Sequence, residues 1–338
     1  MIDIENLRVN FESKVLASGK VIIVPHKLAD FDAIGSAIGL SLAVKKLKTE
    51  SFIIIDDKKY ELDRGVQSIV RDAKSDFGII NRSRYMQIAD KEDMFLLTDV
   101  NKSYLIPIAD MMTNPDKVLI IDHHEPDKNT VPTEDEYIDS NVSSASEVVV
   151  KLLSKMKVKI PKNVANYLLA GIYLDTNKLT KNVTADTMMA ATKLMEAGAK
   201  VNFVMGMFSE DFESDRRVQE LVSRTKMITL KIALMLADPS VEYTKKELAR
   251  TADYGLNYEC DASFAVGKVN DDIIAVSARA VDKINVGQVM SELTNGVGGG
   301  GHQFSAAAEV RDSSIEEVGK KLELLIRPNC YKEKSVEE

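Results

Sequence analysis

Short apolar runs of strand length recur along the first two-thirds of the chain, with helix-spaced stretches among them. The runs are VIIV (21–24), FIII (52–55), FLLT (95–98) and VLII (118–121). They are continuous and rich in β-branched residues rather than alternating, the pattern of strands buried on both faces of a parallel sheet. The stretches DAIGSAIGLSLAVKKL and SASEVVVKLLSKM have helical spacing, and the second opens on serines suited to cap a helix. A further helix over NVANYLLAGIYL runs into Asp175, and one over ADTMMAATKLMEAGA stops at Gly198. This alternation predicts an α/β domain with a doubly wound parallel sheet.

From about residue 205 the pattern changes. The charged stretch SEDFESDRRVQELVSR predicts a connecting helix. MITLKIALML, ASFAVGKV, DIIAVSARAV and AAAEV then read as strands, followed by an amphipathic helix SIEEVGKKLELLI and a polar tail. The expected organisation is a catalytic domain over 1–204, a connector over 205–228 and a smaller α+β domain over 229–338. A length of 338 residues suits two domains.

Charge narrows the function. A net charge of −8 argues against a basic face for long nucleic acid. A small phosphorylated ligand remains open, because bound cations can invert a local field. Cys260 and Cys330 form no CxxC pair, which favours a reducing compartment. The opening lacks the apolar core of a signal peptide, and no apolar run approaches the roughly 18 residues of a membrane span. A cytoplasmic protein, or a cytoplasmic piece of a membrane protein, is therefore expected.

The candidate chemistry lies at strand and helix exits. The chain has four histidines, His26, His123, His124 and His302, each in a loop-like context beside Asp or Gly. His26, Asp30 and Asp32 follow VIIV on one short loop, and an imidazole with two carboxylates suits a divalent cation such as Mn²⁺. A turn with an Asp helix cap would use one such acid, not two. Asp99 ends FLLT, and Asp122-His123-His124 ends VLII. Acids at the carboxyl ends of parallel strands point into the crevice where α/β proteins bind ligands. Asp175 closes the set, although alone it reads as a helix-ending acid. Six donors suffice for two metals if Asp99 bridges them, and two cations can clamp an in-line displacement at phosphorus. Neither a GxSxG nucleophile nor a Cys–His neighbour pair is present.

A second constellation lies downstream. Gly298 to Gly301 precede His302, and consecutive glycines let backbone N–H groups approach a phosphate. A flexible linker is the bland alternative. Ser277 and Arg279 offer donors for phosphate, with Asn285 a weaker candidate for the same surface.

Taken in order, H-x3-D-x-D, a strand-end Asp, D-H-H, G-I-x-x-D-T and G-G-G-G-H resemble the DHH phosphoesterases that carry a DHHA1 domain. The resemblance runs from about Val21 to Ile326. It implies that His26 and Asp30 hold one Mn²⁺, that Asp32, His123 and Asp175 hold the other, and that Asp99 bridges; Mg²⁺ or Co²⁺ could substitute. It further implies that Asp122 orients the site and His124 contacts the scissile phosphate. Arg279, Gly299, Gly300, Gly301 and His302 would bind the nucleotide across an interdomain cleft. Within the family, VIIVPHKLADFDAIGSAIGL, SSASEVVVKLL, YLLAGIYLDT and VSARAVDKINV look most like the catalytic part of GdpP-type cyclic-di-AMP phosphodiesterases. The chain departs from the usual pattern in having Leu28-Ala29 for Asn-Pro and Asn101 for a histidine.

The expected activity is hydrolysis of cyclic-di-AMP to pApA, and of short linear dinucleotides. The alternative is a nanoRNase or pAp phosphatase of the same family. A catalytically silent nucleotide sensor would have no need of a bridging acid. An exonuclease on long single strands would want stacking platforms, and the chain has no tryptophan. A homodimer stays open.

Overall fold

The computed structural model describes residues 3–55, 62–209, 211–229, 231–281, 284–301 and 303–329. The chain divides into two compact units, Met1–Ser209 and Glu210–Glu338.

The first unit is built on β1 (Lys20–Val24), β2 (Glu50–Ile54), β3 (Ile79–Ile80), β4 (Met94–Thr98), β5 (Val118–Asp122) and β6 (Glu136–Ile138). Their order is β3-β2-β1-β4-β5-β6, and every neighbouring pair is parallel. The four long strands are those the apolar runs predict. The two short ones hold two and three residues, too few to register as runs.

Alternation along these strands feeds two cores. Val21, Ile23, Leu96, Leu119 and Ile121 pack on one face. Ile22, Val24, Phe95, Leu97, Val118 and Ile120 pack on the other. Burying each such side chain contributes about 1.5–3 kcal/mol, so a polar residue on either face of β1 or β5 would be costly. The first face is covered by α2 (Phe31–Lys46), α5 (Ala145–Lys155) and α6 (Lys162–Asp175).

The charged opening segment, for which the pattern predicts no element, forms α1 (Ile4–Ala17). Asp3 caps it, and Leu7, Phe11 and Val15 bury one stripe. Helices α3 (Arg64–Ala73), α4 (Arg82–Tyr85), α7 (Ala185–Glu196) and α8 (Val201–Met207) complete the unit.

This strand order has a consequence for function. The chain winds outward from β1 to β3, then returns to place β4 on the other side of β1. The direction of winding therefore reverses between β1 and β4: α2 follows β1 on the first face, while the short turns after β4 pack Ile106 and Ile108 on the second. A crevice opens there.

The second unit begins with α9 (Phe212–Ser223), the charged helix expected as a connector, which packs on α10 (Lys245–Gly255) within that unit. Its sheet is mixed, in the order β11-β12-β10-β9-β8-β7. The stretch read as one strand, MITLKIALML, is two: β7 (Thr225–Thr229) and β8 (Ile232–Leu236), paired antiparallel. β9 (Ala262–Asn270) and β10 (Ile273–Ala280) follow, then α11 (Val286–Leu293), β11 (Gly299–Gly301), β12 (Ser305–Arg311) and α12 (Ile315–Asn329). Among the described residues, no helix is long and apolar enough to cross a membrane.

Candidate metal centre

His26, Asp30, Asp32, Asp99, His123 and Asp175 come together at the carboxyl ends of β1, β4 and β5, beside the end of α6. Donor atoms lie within 4.8 Å of one another in three sets: His26, Asp30 and Asp99; Asp32, His123 and Asp175; and Asp99, Asp122, His123 and His124. The two oxygens of Asp99 face different sets. Oδ2 lies 3.6 Å from His26 Nε2, and Oδ1 lies 3.3 Å from His123 Nε2. Two further spacings are 3.6 Å, from His26 Nε2 to Asp30 Oδ2, and 3.3 Å, from His123 Nε2 to Asp175 Oδ2.

These spacings suit a shared cation. Donors roughly 2.0–2.2 Å from one ion, at near-right to tetrahedral angles, lie about 3.0–3.5 Å from each other. Asp99 Oδ1 and Asp175 Oδ2 are buried with no hydrogen-bond partner. Orphaned acceptors of this kind are costly and call for an explanation. Both oxygens lie 3.3 Å from His123 Nε2, and a divalent ion in that pocket would supply it.

Local structure shows how each side chain is aimed. Asp30 is the N-cap of α2, and its Oδ1 accepts from the N–H groups of Asp32 and Ala33 at 2.9 and 3.0 Å. That leaves Oδ2 to face His26. The capping role and a ligand role coexist in one carboxylate. His26 Nδ1 lies 2.7 Å from the Lys27 carbonyl, which assigns the ring proton to Nδ1 and turns Nε2 toward the acids.

Asp32 is fully buried in the first turn of α2. Its two oxygens accept from the N–H groups of Ala145 and Ser146, at 2.7 and 2.8 Å, so the positive end of α5 holds it in place. Asp99 sits just past β4 with φ +55, a left-handed conformation that costs a non-glycine residue about 1–2 kcal/mol. Strain of this kind concentrates at functional sites.

Asp122 does a different job. Its Oδ1 accepts from the N–H groups of His123 and His124, at 2.7 and 3.2 Å, and lies 2.9 Å from His124 Nδ1. It orders the turn that carries both histidines. The two rings are 4.4 Å apart and tilted by 56°; His123 faces the acids while His124 is 56% exposed.

Electrostatics separates the acids. Burial, with Asp99 nearby, pushes Asp32 up to about 7, and burial with Asp32 and Asp99 raises Asp175 well above the usual carboxylate range. Burial also opposes ionisation of Asp99, but the His123 and His26 imidazoles outweigh it and hold Asp99 at about 2. On His26, burial resists the charge while Asp30 and Asp99 overcome it, raising it to about 11; His123 rises to about 9 through Asp99 and Asp32 in the same way. Protons thus take the place of missing positive charge. Cations would displace them.

The second unit places Ser277, Arg279, Gly298, Gly300 and Gly301 around a cavity of about 510 Å³, together with Lys245 and Lys246 of α10. The glycines expected as a phosphate-cradling loop form an edge strand, β11, with Gly300 opposite Ala307 of β12. A Cβ on Gly301 would meet Ala306 Cα at 2.6 Å, and its φ of +144 is open only to glycine. Gly299 is not among the lining residues; a Cβ there would strike Met290 O at 2.4 Å. Asn285 is not among them either, since its Oδ1 caps α11 by accepting from Gln288 N at 3.0 Å. His302 lies outside the described residues.

The family model of the DHH family, N-terminal domain, matches residues 20–172, and that of the DHHA1 domain matches residues 225–327. This chain belongs to the DHH/DHHA1 phosphoesterase family. A cyclic-di-AMP phosphodiesterase, GdpP of Geobacillus thermodenitrificans, is 28% identical over 91% of this chain and 47% of its own length. The chain thus spans about half the length of that relative. Two solved structures share the fold. An exopolyphosphatase-related protein from Bacteroides fragilis gives a TM-score of 0.78 at 21% identity, covering 96% of both chains. RecJ in complex with Mn²⁺ from Thermus thermophilus gives 0.54 at 13% identity, covering 96% of this chain and 55% of that one.

Proposed function

We propose that this chain is an Mn²⁺-dependent phosphodiesterase that opens cyclic-di-AMP to pApA. The observation that carries the reading is Asp99 placed between two neighbouring donor sets, with one oxygen facing His26 and the other His123. The cyclic-di-AMP phosphodiesterase relative, which aligns over most of the chain, supports the substrate. The manganese in RecJ, of like fold, supports the metal.

In this reading His26, Asp30 and Asp99 hold one ion, and Asp32, His123, Asp175 and Asp99 hold the second. Bound together, two such ions supply a water of lowered pKa and neutralise charge building on the phosphate. The remaining work falls to the chain. Asp122 fixes the His124 ring through Nδ1 and, despite partial burial, raises its pKa. A protonated His124 would present an Nε2–H at an exposed position, suited to donate to a phosphate oxygen. The α5 N-terminus aims Asp32 through the Ala145 and Ser146 N–H groups. Ser277, Arg279, Gly300 and Gly301 of the second unit supply donors and close backbone approach for the nucleotide.

The test is to incubate the purified protein and Mn²⁺ with cyclic-di-AMP, pApA and pAp, following products in time. The proposal expects cyclic-di-AMP to disappear first, with pApA formed in step. Rapid loss of pApA or pAp beside an untouched cyclic substrate would instead assign the site to free nucleotide ends.

A further inference from the structure

The loop leaving β4 carries a feature that the acids and histidines do not use. Residues 101–106 are fastened on one side to the loop that bears His124. Asn101 Nδ2 donates to His124 O at 2.8 Å, Lys102 Nζ to Glu125 O at 2.6 Å, and Ser103 N to Asn129 O at 3.1 Å. They are fastened on the other side to the loop that bears His26. Lys27 N donates to Leu105 O at 2.7 Å, and Lys27 Nζ to Tyr104 O at 2.8 Å. The segment is thus strapped between the two histidine-bearing loops of the centre.

Of the three residues this segment exposes, Ser103, Tyr104 and Leu105, two carry large apolar groups. Tyr104 is 59% exposed and Leu105 39%, and Leu28, one residue past Lys27, is 45% exposed. Leu28 also has φ +53. An exposed leucine in a left-handed conformation is unfavourable on both counts and points to use rather than stability. The nearby ammonium groups do not change this character, because Lys27 and Lys102 are turned onto backbone carbonyls.

We propose that Tyr104, flanked by Leu28 and Leu105, is a stacking platform for a nucleobase of the substrate. This rests on the phosphodiesterase reading above. An aromatic face stacks on any base, and three side chains are too few for a stable protein interface. The straps fix the backbone that carries the ring, which lowers the ordering cost of binding. The chain lacks tryptophan, and this tyrosine takes its place.

The test uses a dinucleotide carrying 2-aminopurine, mixed with the Mn²⁺-loaded protein in a stopped-flow instrument. Wild type is expected to quench the fluorophore before turnover. Tyr104→Ala should lose that early quenching and about tenfold in kcat/KM, while Tyr104→Phe and Tyr104→Trp restore both. Equal quenching in Tyr104→Ala would overturn the proposal. So would a Tyr104→Ala protein that also loses its bound metal, since the residue would then be a prop for the centre. A wild-type protein that neither binds nor cleaves the dinucleotide would instead sink the phosphodiesterase reading itself.

Discussion

In the first unit the charged groups of the site are carboxylates gathered by burial around two imidazoles. In the second, two of the cations lining the cavity have acids beside them: Arg279 Nε lies 2.9 Å from Asp253, and Lys245 pairs with Glu309. The first arrangement crowds buried carboxylates together and has buried oxygens with no hydrogen-bond partner. The second has most of its positive charge matched, and a phosphate there would compete with the acids beside Arg279 and Lys245. A cluster that is incomplete alone should fail in an all-or-none way when one shared member goes. A cavity built from paired groups should fail by degrees.

Asp99→Ala tests the first half most severely. Asp99 turns one oxygen toward His26 and the other toward His123, so bound Mn²⁺ should fall toward zero and kcat/KM by roughly 10³-fold or more. Metal analysis and steady-state kinetics on the same sample check this. Gly171→Ala should break one pocket rather than two. A Cβ there would meet Ser146 Oγ at 2.3 Å and Asp32 Oδ1 at 2.6 Å, forcing α6 away from α2. The expected outcome is loss of the Asp32–His123–Asp175 ion first, with about 1–3 kcal/mol of stability lost to overpacking. Titration of metal against melting temperature would reveal it.

Asp122→Asn keeps the shape and removes the charge behind His124. Turnover should fall roughly 10–100-fold with both ions retained, as for other residues that orient a metal site. Arg279→Ala should have the smallest effect. Its pairing with Asp253 is largely solvent-screened, so the melting temperature should hold, while KM rises about tenfold and metal content is unchanged. If Arg279→Ala instead emptied the metal centre, the contrast between the units would collapse.

Much of this molecule was legible in the sequence because strong signals coincided. Continuous apolar runs marked β1, β2, β4 and β5, and each acid or histidine of the cluster stood at an exit from a strand or helix. The six residues singled out there are the ones the structure brings together. Weaker signals were lost where elements are short or where a partner lies far along the chain. β3 and β6 are too brief to show a period. The serines before α5 announced a cap, but nothing local indicated that the same helix end grips Asp32, 113 residues away.

Gly299 and Asn285 illustrate the converse. Each suited phosphate by type, yet close packing against Met290 claims one and the α11 cap claims the other. Tyr104 was overlooked because a single tyrosine in a loop has no periodicity. Its importance follows only from the straps on either side of it.

The central claim is a two-ion centre shared through one carboxylate. Anomalous diffraction at the manganese edge, from crystals grown with Mn²⁺, tests it most directly. Two peaks are expected about 3.5–4 Å apart, one on each oxygen of Asp99, with His26 and Asp30 around the first and Asp32, His123 and Asp175 around the second. A single peak, or two peaks that leave Asp99 unbound, would contradict it.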